Sequence, residues 1–155
     1  MRVHLGWATE MTTFPEQPVS VLIADDDPGY RETLREIVEP RGFRTLLARD
    51  GGEALEILQV ETVHLAVFDM HMPRLTGLEV VELVHQFNSM LPCILVTADA
   101  TEELMRQAFN VRAYSVIPKP VSRNVLLYTM VRALLKVYGI TLEEPDKLNH
   151  EDEPQ

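Results

Sequence analysis

Apolar residues of this chain fall into five short runs, and longer stretches with a helical spacing of apolar positions separate those runs. The runs occupy residues 19–24, 43–48, 64–69, 93–97 and 114–117. Uniform apolar runs of this length are typical of strands that are buried in a parallel sheet. Between the first two runs, Tyr30, Leu34 and Ile37 fall on one helical face, which predicts an amphipathic helix. The run at 43–48 is less uniformly apolar, so we expect it at an edge of the sheet.

Residues with the chemistry of helix termini mark the ends of five predicted helices. The predicted N-terminal caps are Asp27, Asp50, Thr76, Ser122 and either Asp99 or Thr101. A glutamate follows both Asp50 and Thr76 three residues later, which is the spacing of a capping box. The last helix is predicted to end at Tyr138, because Gly139 follows it.

Strands and helices alternate five times along the chain, and this alternation predicts a fold of the α/β class. Successive strands with helical connections form βαβ units, whose right-handed crossovers give a parallel sheet with helices on both faces. The common five-stranded solution is a doubly wound sheet in the order 2-1-3-4-5. We expect one domain over residues 19–139, after a flexible leader at 1–18 and before an acidic, disordered tail at 140–155.

The composition restricts the class of protein. A chain of 155 residues with 46% hydrophobic residues suits a single globular domain. No apolar run approaches the roughly 20 residues of a membrane span, and the N-terminus lacks the pattern of a signal peptide. The formal net charge of −10 argues against direct, non-specific binding of nucleic acid. Cys93 is the single cysteine, so an intramolecular disulfide is excluded, which fits a reducing cytoplasm.

Polar residues stand at four predicted strand ends. They are Asp25 and Asp26, Asp69, Thr97 and Lys119. An open α/β sheet binds its ligands where the carboxyl ends of the strands meet, at the switch point between the first and third strands. The three carboxylates would converge there, and without a cation their repulsion would keep some of them protonated. The pattern therefore predicts a cation at this edge of the sheet.

We predict Mg²⁺ as the cofactor, because it is a hard divalent ion that prefers oxygen ligands. Asp26 and Asp69 are expected to bind it directly, and Asp25 through a water molecule. The backbone carbonyl of His71 is expected to supply another oxygen. With the metal bound, Asp69 becomes a candidate nucleophile toward phosphorus, since carboxylates can form aspartyl phosphates.

A phosphoryl group on Asp69 would bring three oxygens whose charge must be neutralised. The metal would neutralise one of them, and the ammonium of Lys119 a second. The hydroxyl of Thr97 could donate a hydrogen bond to the third. Ala98 is small, which leaves room for the incoming group.

Four segments together resemble the receiver domain of two-component response regulators. They are residues 21–28 (VLIADDDP), 68–77 (FDMHMPRLTG), 96–98 (VTA) and 118–120 (PKP), within a resemblance that covers roughly residues 19–138. The resemblance implies the flavodoxin-like fold and these roles: Asp69 as phospho-acceptor, Asp25 and Asp26 as the acidic metal pair, Thr97 as the phosphate-responsive hydroxyl and Lys119 as the phosphate-binding lysine. It also implies a sensor histidine kinase or a phosphotransfer protein as the phosphoryl donor, and a cis peptide bond between Lys119 and Pro120.

The chain departs from the family at the position three residues before Lys119. The family often has an aromatic residue there, which moves inward on phosphorylation, whereas this chain has Val116. Tyr114 is predicted on the same face as Val116, where it could replace that aromatic residue or be purely structural. His71 and Asp99 occupy positions that flank the phosphate in the family; they either tune its lifetime or are ordinary exposed loop residues.

The first hypothesis for function is a phosphorylation-dependent signalling switch, which is not an enzyme beyond slow self-dephosphorylation. Its output would be contacts made by the fourth helix, fifth strand and fifth helix, because the last helix is apolar over a wide arc. An unknown output protein or a second copy of the chain would bind that face. The alternatives are a Mg²⁺-dependent aspartyl phosphatase, with His71 as the acid, and a scaffold that acts without phosphorylation.

Overall fold

Five parallel strands form the central sheet in a computed structural model that describes residues 2–3, 13–14 and 18–142. The strands are β1 (Ser20–Ala24), β2 (Arg44–Ala48), β3 (Leu65–Asp69), β4 (Cys93–Thr97) and β5 (Ser115–Pro118). They lie in the order β2-β1-β3-β4-β5, with every neighbouring pair parallel. This order confirms the predicted doubly wound sheet. Every residue of β1, β3 and β4 is buried, whereas β2 is half exposed, as expected for an edge strand.

Five helices connect and flank these strands. They are α1 (Pro28–Val38), α2 (Gly51–Val60), α3 (Gly77–Phe87), α4 (Glu102–Asn110) and α5 (Arg123–Tyr138), with one 3₁₀ turn at Glu39–Arg41. The predicted caps are confirmed, and Thr101 rather than Asp99 caps α4. Thr76 and Glu79 form the full capping box. The box predicted at Asp50 is incomplete, because the Glu53 carboxylate accepts the N–H of Arg49 instead.

The sheet separates two apolar clusters. Helices α1 and α5 cover one face, and helices α2, α3 and α4 cover the other. Cys93 is fully buried in the second cluster, and burial raises the pKa of its thiol to about 12. Ile140, which lies just beyond the predicted domain end at 139, is fully buried in the first cluster, so the packed unit extends past that boundary.

Tyr114 and Val116 pack on opposite faces of the sheet, so the expectation that they share a face is wrong. Tyr114 contacts the cluster covered by α1 and α5, whereas Val116 contacts the other cluster. The physical reason is that β5 begins at Ser115, so Tyr114 precedes the strand and does not follow its alternation.

The predicted leader and tail fall largely outside the described residues. Within 1–18, the pairs Arg2–Val3 and Thr13–Phe14 form a short antiparallel ladder. Residues 143–155 of the predicted tail are not among those that the structure describes. Across the described ranges, none of the helices has both the length and the apolar character of a membrane span.

Candidate functional site

Three carboxylates converge at the carboxyl edge of the sheet, as the sequence predicted. Asp25 follows β1 directly, Asp26 comes next, and Asp69 is the last residue of β3. Each can present one oxygen such that the three oxygens lie within 4.8 Å of one another. Asp25 and Asp69 are buried, whereas Asp26 is exposed. Solvent therefore reaches the cluster at Asp26.

Lys119 reaches the same cluster from the residue after β5. Its Nζ lies 3.1 Å from Asp69 Oδ1 and 3.7 Å from Asp25 Oδ2. Burial alone would lower the pKa of Lys119, but the hydrogen bond to Asp69 and the charges of both carboxylates together raise it above its ordinary value. The lysine is thus held as a cation beside Asp69.

One oxygen of Asp25 is buried without a hydrogen-bond partner in the described part of the protein. Its Oδ1 accepts the N–H of Asp27 at 2.9 Å, but Oδ2 has no such bond. Burial raises the pKa of Asp25; the Asp27 bond opposes this shift, and the charge of Asp69 adds to it. An unsatisfied buried carboxylate oxygen is costly, and a divalent ion with oxygen ligands would satisfy it. The donor set therefore fits Mg²⁺.

Hydrogen bonds to backbone carbonyls fix the loops that carry these side chains. Arg31 donates from Nη1 to the carbonyl oxygen of Asp25 at 2.6 Å. The N–H of Lys119 donates to the carbonyl of Thr97 at 2.8 Å, and the N–H of Met70 donates to that of Val96 at the same distance. The ends of β1, β3 and β5 are thus each tied to a neighbouring element.

Thr97 ends β4, which lies between β3, whose last residue is Asp69, and β5, which Lys119 follows. It is fully buried, and its Oγ1 accepts the N–H of Asp99 at 3.1 Å. His71 is exposed, and its side chain is not part of the carboxylate cluster. The role of the His71 carbonyl as a metal ligand stays a prediction.

Tyr30 belongs to this site, although its sequence pattern indicated only an inward-facing position on α1. The Nζ of Lys119 lies 4.2 Å from the centroid of the Tyr30 ring, and the Tyr30 hydroxyl accepts the N–H of Val121 at 3.1 Å. The only sequence signal for this role is its place one turn after the acidic pair, because the contacts are made with residues about 90 positions away.

The receiver-domain family and several individual response regulators match this chain. The family described as the response regulator receiver domain matches residues 21–131. Response regulator RR06 of Streptococcus pneumoniae serotype 2 is 34% identical over 122 residues, which are 79% of this chain and 55% of that protein. Response regulator MprA of Mycolicibacterium vanbaalenii is 36% identical over 119 residues, which are 77% of this chain and 51% of that protein. The chain thus spans about half the length of these two relatives.

Solved structures of receiver domains share the fold. A response regulator receiver domain protein (CheY-like) from Methanospirillum hungatei JF-1 aligns with a TM-score of 0.76 and 29% identity, over 79% of this chain and 98% of that one. The chemotaxis response regulator CheY4 of Vibrio cholerae aligns with a TM-score of 0.71 and 28% identity, over 76% of this chain and all of that one. From the sequence match, the strand order and the acidic cluster together, the chain belongs to the response regulator receiver domains of two-component signalling.

Proposed function

We propose that this receiver domain is a Mg²⁺-dependent switch that accepts a phosphoryl group on Asp69 from a histidine kinase or a phosphotransfer protein. One observation carries the proposal, namely that Asp69 belongs to a carboxylate cluster able to hold a cation and also lies beside the ammonium of Lys119. Its oxygen lies within 4.8 Å of those of Asp25 and Asp26, and its Oδ1 is 3.1 Å from the ammonium of Lys119. A carboxylate placed in this way can both ligate a cation and attack phosphorus.

The transfer forms one bond and breaks one bond. A carboxylate oxygen of Asp69 attacks the phosphorus of a phosphohistidine, the P–N bond breaks, and the histidine nitrogen leaves with the bonding electron pair. Asp25, Asp26 and Asp69 would hold Mg²⁺, which supplies charge neutralisation for the phosphoryl oxygens when it is bound. Lys119 would exchange its contact with Asp69 Oδ1 for a contact with a phosphoryl oxygen.

Thr97 is the residue that would couple phosphate arrival to the loop that follows β4. Its hydroxyl oxygen now accepts the N–H of Asp99, so the hydroxyl proton is not used in that contact. Donation of this proton to a phosphoryl oxygen would turn the side chain and strain or break its bond to Asp99. Because Val116 replaces the family's usual aromatic residue, we expect this signal to pass through the Asp99 loop and α4.

The output surface in this proposal is the face formed by α4, β5 and α5. The structure describes five large apolar side chains on the two helices that are about half exposed or more: Met105, Phe109, Val125, Tyr128 and Leu135. Phe109 is the most exposed, at 81%. An apolar group of this size is favoured at a surface that another protein covers.

Intact-mass measurement after incubation with Mg²⁺ and phosphoramidate tests the proposal directly. We expect the wild type to gain the mass of one phosphoryl group, and Asp69→Asn or a sample with EDTA to gain none. Glu56→Gln is a matched control, because it removes an exposed carboxylate on α2 that is not part of the Asp25, Asp26 and Asp69 cluster. A wild type that takes up no phosphate would contradict the proposal. Steady hydrolysis of phosphate esters would indicate the aspartyl phosphatase instead.

A further inference from the structure

Tyr30 contacts the active-site lysine and its loop at two separate points. Its ring lies beside Lys119 Nζ at 4.2 Å from the ring centroid, and its hydroxyl accepts the backbone N–H of Val121. The two contacts use different parts of one side chain. They join the first turn of α1 to the loop between β5 and α5.

The ring contact restricts a side chain that would otherwise be mobile. Lys119 has a long flexible stem, and its side chain is 22% exposed. Asp69 and Asp25 attract the ammonium from one side, and the face of an aromatic ring adds a further attraction that is strongest when the ammonium is partly desolvated. The ring thus favours the rotamers of Lys119 that aim at Asp69.

The hydroxyl contact restricts the backbone on either side of the lysine. The N–H of Lys119 donates to the Thr97 carbonyl, which ties the loop to β4. The Val121 N–H donates to Tyr30, which ties the same loop to α1 at 3.1 Å. Two hydrogen bonds therefore restrict the backbone of residues 119–121, one to the Thr97 carbonyl and one to the Tyr30 hydroxyl.

Packing alone does not account for a tyrosine at this position. The ring is only partly buried against the apolar cluster beneath α1 and α5, where phenylalanine or leucine could also pack. The hydroxyl and the ring face are instead directed at the Lys119 loop. We infer that Tyr30 is a positioning residue, which holds Lys119 and its loop in the geometry needed for phosphoryl transfer to Asp69. This inference rests on the function proposed above.

Two substitutions separate the contributions of the hydroxyl and the ring. Tyr30→Phe keeps the ring beside Lys119 and loses the bond to Val121, whereas Tyr30→Leu loses both. We expect the rate of phosphorylation by phosphoramidate to fall about 2- to 5-fold in Tyr30→Phe and about 5- to 20-fold in Tyr30→Leu. Rates equal to that of the wild type in both variants would overturn the inference.

Tyr138→Phe is the matched control for loss of a tyrosine hydroxyl. The Tyr138 hydroxyl donates to the carbonyl of His64 at 2.8 Å, at the opposite end of β3 from Asp69. We expect this variant to lose stability but to be phosphorylated at the wild-type rate. A similar slowing in Tyr138→Phe and Tyr30→Phe would assign the effect to general destabilisation and overturn the inference.

A double-mutant comparison tests whether Tyr30 acts through Lys119. In the Lys119→Met background, Tyr30→Leu should change the residual rate by less than about 2-fold, because the group it positions is gone. The full 5- to 20-fold effect, about the same size in both backgrounds, would contradict the inference.

An NMR measurement without a phosphodonor distinguishes failure of the proposed phospho-acceptor function from failure of the positioning role of Tyr30. The ε-methylene signals of Lys119 should show an aromatic ring-current shift in the wild type and in Tyr30→Phe, and lose it in Tyr30→Leu. A wild type that shows this shift but takes up no phosphate would refute the proposed function while confirming the contact. A wild type that is phosphorylated, with Tyr30 variants that react equally fast, would refute the positioning role alone.

Discussion

Gly77, the first residue of α3, packs directly on the backbone carbonyl of Asp69. A Cβ at this glycine would lie 2.7 Å from that carbonyl oxygen and 2.8 Å from Leu95 Cδ2, far inside normal contact distances. The N–H of Gly77 also donates to the carbonyl of Met70 at 2.9 Å. Since only a residue without a side chain fits here, the start of α3 is held against the end of β3 that carries the predicted phospho-acceptor.

We predict that Gly77→Ala destabilises the protein by about 1–3 kcal/mol, because the new methyl group must push apart two packed elements. The same displacement should move the backbone at Asp69 and slow phosphorylation by phosphoramidate. Urea unfolding measures the first effect, and intact mass against time measures the second.

Gly52→Ala is the control for this prediction. A Cβ at Gly52 would be 3.5 Å from Asp50 Oδ1, which is an ordinary contact, and the position is helical. Alanine favours a helix over glycine, so we expect this variant to be more stable by up to about 1 kcal/mol and to be phosphorylated normally. Equal stability of the two alanine variants would show that the close approach at Gly77 carries no cost.

Asp25→Asn is predicted to stabilise the metal-free protein. Burial raises the pKa of Asp25, so the folded state holds its proton to higher pH than the unfolded chain. The stability of the metal-free wild type should therefore fall as the pH rises from the ordinary value of 3.8 through the folded-state pKa. Asparagine keeps an acceptor for the Asp27 N–H and removes the buried charge, so we expect the metal-free variant to have a higher urea midpoint than the wild type at neutral pH.

The effect of Mg²⁺ on the urea midpoint of Asp25→Asn tests whether the cation binds at this cluster. Mg²⁺ bound at the proposed site would stabilise the folded state and should raise the urea midpoint of the wild type relative to a sample in EDTA. We expect this rise to shrink in the variant. A variant that is less stable than the wild type in EDTA, with an unchanged response to Mg²⁺, would count against the assignment of the cation to this cluster.

His64 is predicted to make stability depend on pH below neutrality. Its Nδ1 accepts the N–H of Ser20 at 3.0 Å, a bond that a protonated ring cannot make, and burial lowers the pKa of His64 below its ordinary value of 6.5. The unfolded chain therefore binds the proton first as the pH falls. Neutral His64 contributes fully to the free energy of unfolding above about pH 6.5. This contribution is lost as the pH falls from 6.5 to the lower pKa that His64 has in the folded state.

Comparison with His64→Asn isolates this contribution. The Oδ1 of asparagine can accept the Ser20 N–H in place of Nδ1 but does not titrate. Urea midpoints measured on both sides of pH 6.5 should diverge on the acidic side, with the wild type losing more stability than the variant. Parallel curves for the two proteins would mean that His64 is not the titrating group.

Phe109→Ser is predicted to weaken binding at the proposed output face without affecting the fold. Phe109 is 81% exposed on α4, so its loss should change the free energy of unfolding by less than about 0.5 kcal/mol. Light scattering with beryllofluoride, a mimic of the phosphoryl group, should show self-association of the wild type that the variant loses.

Val60→Ser is the matched control for Phe109→Ser. Val60 is 80% exposed at the end of α2, away from the α4–β5–α5 face. We expect the Val60→Ser variant to self-associate as the wild type does. Equal association of all three proteins would exclude the proposed face, and a wild type that stays monomeric would contradict the prediction of self-association.

Local sequence signals predicted the features that depend on neighbours in the chain. Asp27 and Thr76 cap their helices because a side chain and the N–H groups two or three residues later decide that geometry. The sheet order followed from strand and helix alternation, which leaves few allowed topologies. The convergence of Asp25, Asp69 and Lys119 followed from that order, since the carboxyl ends of parallel strands meet at one edge.

Features that depend on how distant elements pack, or on the exact ends of single elements, were missed. The rotation of α1 on the sheet decides that Tyr30 contacts Lys119, and no periodicity in the sequence encodes that rotation. The face of Tyr114 was predicted wrongly because strand alternation was extended one residue too far. Glu53 likewise accepts from Arg49 rather than from the cap residue, a choice between two adjacent donors that spacing alone does not resolve.

Cys93 offers a practical route to observing the proposed switch. It is the single cysteine of the chain, and its full burial and high thiol pKa keep it in the unreactive form under labelling conditions. A cysteine introduced on the surface of α4 would thus be the preferred target of a maleimide fluorophore. Cys93 therefore does not have to be replaced before such a fluorophore is used to follow phosphorylation at the carboxylate cluster.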